Sequence, residues 1–177
     1  MRIIHGEHSG RRITIPKQLR ARPTTDQARE NLFNILMNRY DMTNIRVLDL
    51  FAGTGSISYE FASLGCPEVI CIENDRFHVA GIQKNCETIG LNAINVIRTD
   101  VFRFLSKPNR QFDIIFADPP YDLPILADIP TLVLNSGSMV QNSLFILEHG
   151  PSNNFKENSS WQETRKYGKV HFSFFSI

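Results

Sequence analysis

The chain has 177 residues, 42% of them hydrophobic and 21% charged, the size and mixture of a single globular domain that buries its own core without staples. Its three cysteines form no CxxC pair, which argues against a disulfide framework and a zinc site, and no run reaches the ~18 apolar residues of a membrane span. The net charge of +1 hides an asymmetry: residues 1–40 hold eight Arg/Lys against three acids, and the remainder eleven against fifteen, so the positive field lies at the N-terminal end and suits a polyanion partner.

In chain order, residues 2–5 and 11–15 are short β-prone runs separated by Glu-His-Ser-Gly, a turn signal, so a small hairpin is expected. No apolar h-region follows Arg2, and a cytoplasmic location is the expectation. After Pro16 comes a loop ending in Arg22-Pro-Thr-Thr25. Thr24 or Thr25 caps a helix reaching about Arg39, with Gln27 at capping-box spacing from Thr24 and Ala28, Leu32, Ile35, Leu36 and Arg39 along one side. Residues 45–51 are a nearly continuous apolar run, the pattern of a buried parallel strand. Ala52-Gly-Thr-Gly-Ser56 follows, then a helix with Ile57, Phe61 and Leu64 on one face that Gly65 ends. A second strand over 69–72 closes at Glu73. Asn74 or Asp75 caps a helix carrying Val79, Ile82, Cys86 and Ile89. Further strands are expected over 95–98, 112–117 and 143–148, with a helical segment between 123 and 142 whose start Pro130 obscures. Residues 150–160 read as a polar loop, and 161–164 with 170–177 as a terminal antiparallel hairpin. Strands alternating with helices at this spacing imply βαβ units.

Ligands of open α/β sheets sit outside the carboxyl ends of the strands, and four segments with chemistry fall there. In Asp49-Leu-Phe-Ala-Gly-Thr-Gly-Ser56, Gly53 and Gly55 permit a tight turn close to a ligand; a dinucleotide fingerprint would want glycine or alanine where Ser58 stands. Glu73, 18 residues after Gly55, is placed to accept two ribose hydroxyls, and Asp100 with the Val101 backbone to read an adenine amine. Asp100 could equally cap a helix, and Glu73 could be a surface acid. The set Asp49, Phe51, Ala52, Gly53, Thr54, Gly55, Ser56, Glu73, Asn74, Asp100 and Val101 describes a nucleoside-shaped pocket with an acidic lining, suited to a cationic ligand such as a sulfonium with an α-amino group.

Asp118-Pro119-Pro120-Tyr121 is the sharpest motif. Two prolines remove backbone donors, so the loop presents the Asp118 carboxylate and the Pro119 carbonyl as acceptors for the two hydrogens of an amine. An exocyclic nucleobase amine is a weak nucleophile, and orientation is what such a site supplies. Tyr121 is placed to stack on the base. Cys66, Cys71 and Cys86 lie away from this loop and read as small core residues, which disfavours a covalent thiolate route to a ring carbon. No metal ligand set is assigned.

With these motifs in hand, the chain resembles the bacterial 16S ribosomal RNA guanine-N2 methyltransferases of the RsmD type. The match lies in Arg2-Ile-Ile-His-Gly6, Gly10-Arg-Arg12, Arg22-Pro-Thr-Thr-Asp26, Arg29-Glu-Asn-Leu-Phe-Asn-Ile-Leu36, Arg165-Lys-Tyr-Gly168 and the two strand-end loops. The resemblance implies a Rossmann-like class I methyltransferase, α/β and doubly wound, with a mostly parallel seven-stranded sheet, an antiparallel last strand and an N-terminal β-hairpin extension. It implies S-adenosylmethionine as cofactor, catalysis by residues 118–121, and small-subunit ribosomal RNA or the assembled subunit as partner of a monomer. On this reading residues 1–24 form the RNA-contacting arm and 25–177 the methyltransferase domain. Arg2, Arg11, Arg12, Arg20, Arg22, Thr24, Thr25 and Arg29 are the expected RNA contacts. Adenine-N6 or cytosine-N4 methylation of DNA or other RNA, a non-enzymatic RNA-binding module, and a nicotinamide-dependent oxidoreductase are the rival readings.

Overall fold

A computed structural model of the chain describes residues 1–15, 25–107 and 110–177. Its centre is a strand, β1 (Arg46–Leu50), whose last four residues are all buried. Residues buried on both faces define an interior parallel strand, and β1 lies between β2 (Glu68–Glu73) and β4 (Phe112–Ala117), parallel to both. The seven strands run in the order β3-β2-β1-β4-β5-β7-β6, with β3 at Ile94–Arg98, β5 at Met139–His149, β6 at Trp161–Tyr167 and β7 at Val170–Ser176. β7 pairs antiparallel with β5, and β6 antiparallel with β7. This is the Rossmann-like class I methyltransferase fold that the resemblance implied.

Alternation along the strands sends side chains to two cores. Val47, Ile114, Phe116, Leu144 and Ile146 face the core shared with the arm, α1 (Asp26–Met37), α2 (Ser56–Ser63) and α3 (Arg76–Ile89). Leu48, Leu50, Ile115, Ala117, Phe145 and Leu147 face α4 (Val101–Leu105) and α5 (Ile129–Leu134). Helix starts follow local chemistry. The Thr25 side chain accepts from Ala28 N, and Asp75 accepts from Phe77 N and His78 N.

Residues 1–15 are tied to the domain more firmly than an arm expected to carry charge outwards. The two runs meet through a single antiparallel bridge, Arg2 to Arg12, rather than two full strands. Ile3 and Ile13 are buried in the first core. Gly6 has φ +77, and a Cβ there would come within 1.9 Å of the Ser63 carbonyl oxygen, so only glycine lets the turn lie against α2. Glu60, sealed inside α2, accepts from Ile4 N (2.9 Å) and His5 N (3.0 Å).

Several elements differ from the sequence expectation. Most of residues 123–142 is not helical: a 3-10 turn (Leu126–Asp128) leads into the six-residue α5, and β5 begins at Met139. Pro124 and Pro130 lack amide donors for a longer helix, and Gly137 turns the chain at φ +72. The early start of β5 carries a register shift opposite Phe112 and Ile114, with Asn142 at φ +66. Helix α4 is additional, and Asp100 caps it. Helix α1 ends at Met37, and beyond it Arg39 pairs with Glu163 at 2.7 Å and lies over the ring of the core residue Phe174.

Candidate active site

Parallel register places the strand-end residues in rows. Cys71, Asp49, Phe116 and Ile146 are partners across β2, β1, β4 and β5. Two residues further on, and on the same face, come Glu73, Asp118 and Glu148. Three acids therefore stand in one row at the carboxyl ends of neighbouring strands, with a fourth, Asp49, one step below. Phe51 leaves β1 at φ +60, starts the glycine turn, and turns its ring to the other face, against Phe102.

The turn is closed by backbone bonds from Ala52 N to Ile72 O (3.0 Å) and Gly55 N to Ala52 O (2.7 Å). Gly55 sits at φ +80 as the N-cap of α2, and a Cβ there would lie 2.9 Å from the Tyr59 ring. Gly53 has only the Phe51 carbonyl oxygen within 4 Å of a hypothetical Cβ, so its outer side is open. Glu73 braces the turn: Oε2 accepts from Gly53 N and Oε1 from Asp75 N, both at 2.8 Å. Each carboxylate oxygen keeps a lone pair for a hydroxyl. Thr54 and Ser56 are buried beneath the turn. Asn74 and Asp100 are exposed and Val101 is buried, at the ends of β2 and β3. His78, whose buried Nε2 has no hydrogen-bond partner among the described residues, lines a small hollow with Thr14, Thr54, Ile82 and Asn85.

Asp49 is 1% exposed and accepts from Ser58 Oγ at 2.5 Å, and Ser58 in turn accepts from Cys71 Sγ at 2.9 Å. Burial, opposed by the Ser58 hydrogen bond, drives the Asp49 carboxyl up to about 7. Ser58 thus fills the third-glycine position with a donor to the buried acid, a role its spacing did not disclose. A cradle with an open glycine, a hydroxyl-accepting acid and a buried acid that gains from a nearby cation fits a nucleoside with a cationic amino-acid tail. It offers no lysine for phosphate among the turn residues.

Asp118 follows β4 and its amide reaches Leu50 O at 3.4 Å, which puts the Asp-Pro-Pro-Tyr loop beside the glycine turn. Burial, then the charge of Glu148, then that of Asp49 raise the Asp118 carboxyl well above the carboxylate range. Pro119 is buried and Pro120 exposed. Tyr121 is 45% exposed, and its hydroxyl donates to Glu148 Oε1 at 2.9 Å. Its ring lies against Gly150, where a Cβ would come within 3.1 Å. Glu148, 3% exposed, was not singled out from sequence. The available signal was an acid ending the apolar run of β5, as Glu73 ends that of β2.

The basic residues divide. Arg2, Arg11, Arg12 and Thr25 are exposed on or beside the arm. Arg29 is not available to a phosphate: it is wholly buried, 3.1 Å from Glu60 through Nε, and donates through Nη2 to Arg2 O and Asp26 Oδ1. Its helical position faces the arm, and Glu60 compensates its charge. Arg20, Arg22 and Thr24 lie outside the described residues. Burial raises the thiols of Cys66 to about 12 and Cys86 to about 11, and Cys71 well above its usual value, so all three stay protonated. No helix among the described residues is long and apolar enough to cross a membrane.

Comparison with known proteins places this geometry. The profile of the family described as Conserved hypothetical protein 95 matches residues 1–176. Ribosomal RNA small subunit methyltransferase D of Escherichia coli K12 is 31% identical over 84% of this chain and 74% of its own length. The protein of the same name from Buchnera aphidicola subsp. Baizongia pistaciae is 29% identical, over 99% of this chain and 91% of its own. Among solved structures, a hypothetical protein of Thermus thermophilus superposes with a TM-score of 0.89 at 29% identity, covering 100% of this chain and 99% of that one.

Proposed function

The chain belongs to the Conserved hypothetical protein 95 family, among class I methyltransferases that act on nucleic-acid bases, and on that footing we propose that it methylates the exocyclic N2 amine of a guanine in small-subunit ribosomal RNA. S-Adenosylmethionine, held by the glycine turn, Glu73, Asn74, Asp100 and Val101, supplies an electrophilic methyl group on a sulfonium. The observation that carries the reading is the adjacency of the two loops: Asp118 stands in the row of Glu73 and one strand from the glycine turn.

The chain's own residues do the remaining work. Asp118 and the Pro119 carbonyl accept the two amine hydrogens and hold the nitrogen lone pair towards the methyl source. Raised above its usual range, the ionised Asp118 is a stronger base than a solvated carboxylate, suited to take the proton that methylation makes acidic. Tyr121 offers an exposed ring to the displaced base, and Asp49 offers negative charge to the cationic tail of the cofactor. Arg2, Arg11 and Arg12, with Arg20 and Arg22, meet phosphates and set register without reading sequence. Residues 1–24 form the RNA-contacting arm of the domain.

The test is labelled methyl transfer onto undermethylated small-subunit RNA, small ribosomal particles and DNA, followed by nucleoside mass spectrometry. N2-methylguanine is the expected product. Asp118→Ala should lower the rate by about a thousandfold while cofactor binding persists. N6-methyladenine or N4-methylcytosine as the product would replace this reading with another amine acceptor, and an undiminished rate in Asp118→Ala would remove the catalytic assignment.

A further inference from the structure

We propose that Glu148 is a positioning residue of the acceptor loop: it fixes the Tyr121 ring through the phenol and sets the proton affinity of Asp118, so that base platform and amine acceptor act as one unit. The proposal rests on the assignment of residues 118–121 to the acceptor base. Its geometry is independent of which base that is.

Ala117 pairs with Leu147, so Asp118, just past β4, and Glu148, near the end of β5, stand at the same height and on the same face. A carboxyl group as buried as that of Glu148 costs stability unless its oxygens are bonded. The Tyr121 hydroxyl supplies such a bond at 2.9 Å. Tyr121 is thereby clamped at three points: through the prolines of its own loop, through the phenol on β5, and through the ring against Gly150, directly after β5. A loop tyrosine with only its ring exposed would rotate freely. One held this way keeps a face ready for a stacked base.

The second role follows from charge. The acids facing Asp118 are Glu148 from β5 and Asp49 from β1, and Tyr121 faces Glu148 from its own loop. A negative Glu148 makes ionisation of Asp118 harder and its carboxylate more basic. A glutamate that only filled space would be replaceable by glutamine without effect on proton chemistry. Glutamine keeps an oxygen for the phenol and removes the charge, whereas Tyr121→Phe keeps the charge and removes the bond. The two roles are therefore separable.

The experiment compares wild type, Glu148→Gln, Glu148→Ala, Tyr121→Phe and the Ala/Phe double variant, each as the full chain. Rates on small-subunit RNA are measured against pH, and the Asp118 carboxyl and Tyr121 phenol are followed by NMR with isotope labels and no RNA present. In Glu148→Gln the acid limb of the kcat profile and the Asp118 titration should both move to lower pH by roughly one unit, because a neighbouring negative charge is gone. Tyr121→Phe should raise KM for RNA roughly three- to tenfold and leave that limb in place. The double variant should lose less than the product of the single losses. An unmoved Asp118 titration in Glu148→Gln, or multiplicative losses in the double variant, would overturn the proposal. If wild type methylates no RNA, the functional reading falls, and the NMR titrations still decide the fate of Glu148.

Discussion

Two clusters of buried charge lie on the same side of the sheet and obey opposite rules. Beneath the arm, Arg29 and Glu60 are sealed from solvent together, and Glu60 also takes His5 Nδ1 at 3.2 Å and two backbone amides. At the strand ends, Asp49, Asp118 and Glu148 are gathered with like charge, and no ion pair to Asp49 or Asp118 occurs among the described residues. The first arrangement is compensated and holds parts in place. The second sets like charges beside Asp49 and Asp118, raises their carboxyls, and gains when a cation or a hydrogen donor arrives. Burial alone does not separate a structural acid from a working one; the sign of its neighbours does.

The comparison breaks most visibly at Glu60. Glu60→Ala leaves Arg29 buried without its carboxylate and should cost about 3–5 kcal/mol, read from the midpoint of denaturant unfolding. A cost below about 1 kcal/mol would mean that the pair holds nothing and that the arm is seated by Ile3 and Ile13 instead.

At Asp49 the opposite sign is expected. Its carboxyl rises from 3.8 when unfolded to about 7 when folded, so the group stabilises the ligand-free fold fully below about pH 4. That contribution is lost as pH climbs through 7, to a total of order 4 kcal/mol. Asp49→Asn removes this dependence, so the variant should gain on wild type in thermal stability between pH 4 and 8 while binding S-adenosylmethionine more weakly. A stability difference that stays flat over this range would place the Asp49 acid among compensated groups.

The smallest effect sharpens the boundary of the compensated cluster. Thr25→Ala removes the bond to Ala28 N at the start of α1, one turn from Arg29, and should cost about 1 kcal/mol. Cofactor affinity should not move, which calorimetry would check.

Much of the fold was legible because its signals are local. β4 lies where its apolar run places it, Asp75 caps α3 as one of two candidates, and Gly65 follows the end of α2. The failures have physical causes. The segment before β5 carries prolines and a register shift that periodicity does not register. Arg29 looks like one more cation of a basic stretch until Glu60, 31 residues away, is seen facing it. Ser58 looked like a missing glycine and is a donor to Asp49. In the candidate site, the Asp-Pro-Pro-Tyr loop and the glycine turn were legible as motifs. Glu148 was not, since nothing beside it in the chain marks it as different from an acid at the end of any strand.

The sequence by itself determined the alternation of strands and helices over most of the chain, the loops that carry chemistry and the likeness to a family, because propensity, turn residues and motif spacing act over a few neighbouring residues. Only the tertiary structure decided which charges face one another. Parallel pairing brings Glu73, Asp118 and Glu148 into one row across segments up to 75 residues apart, and packing of the arm on α2 closes Arg29 onto Glu60. Electrostatic energy depends on distance in space and on burial, and neither is written in the chain order.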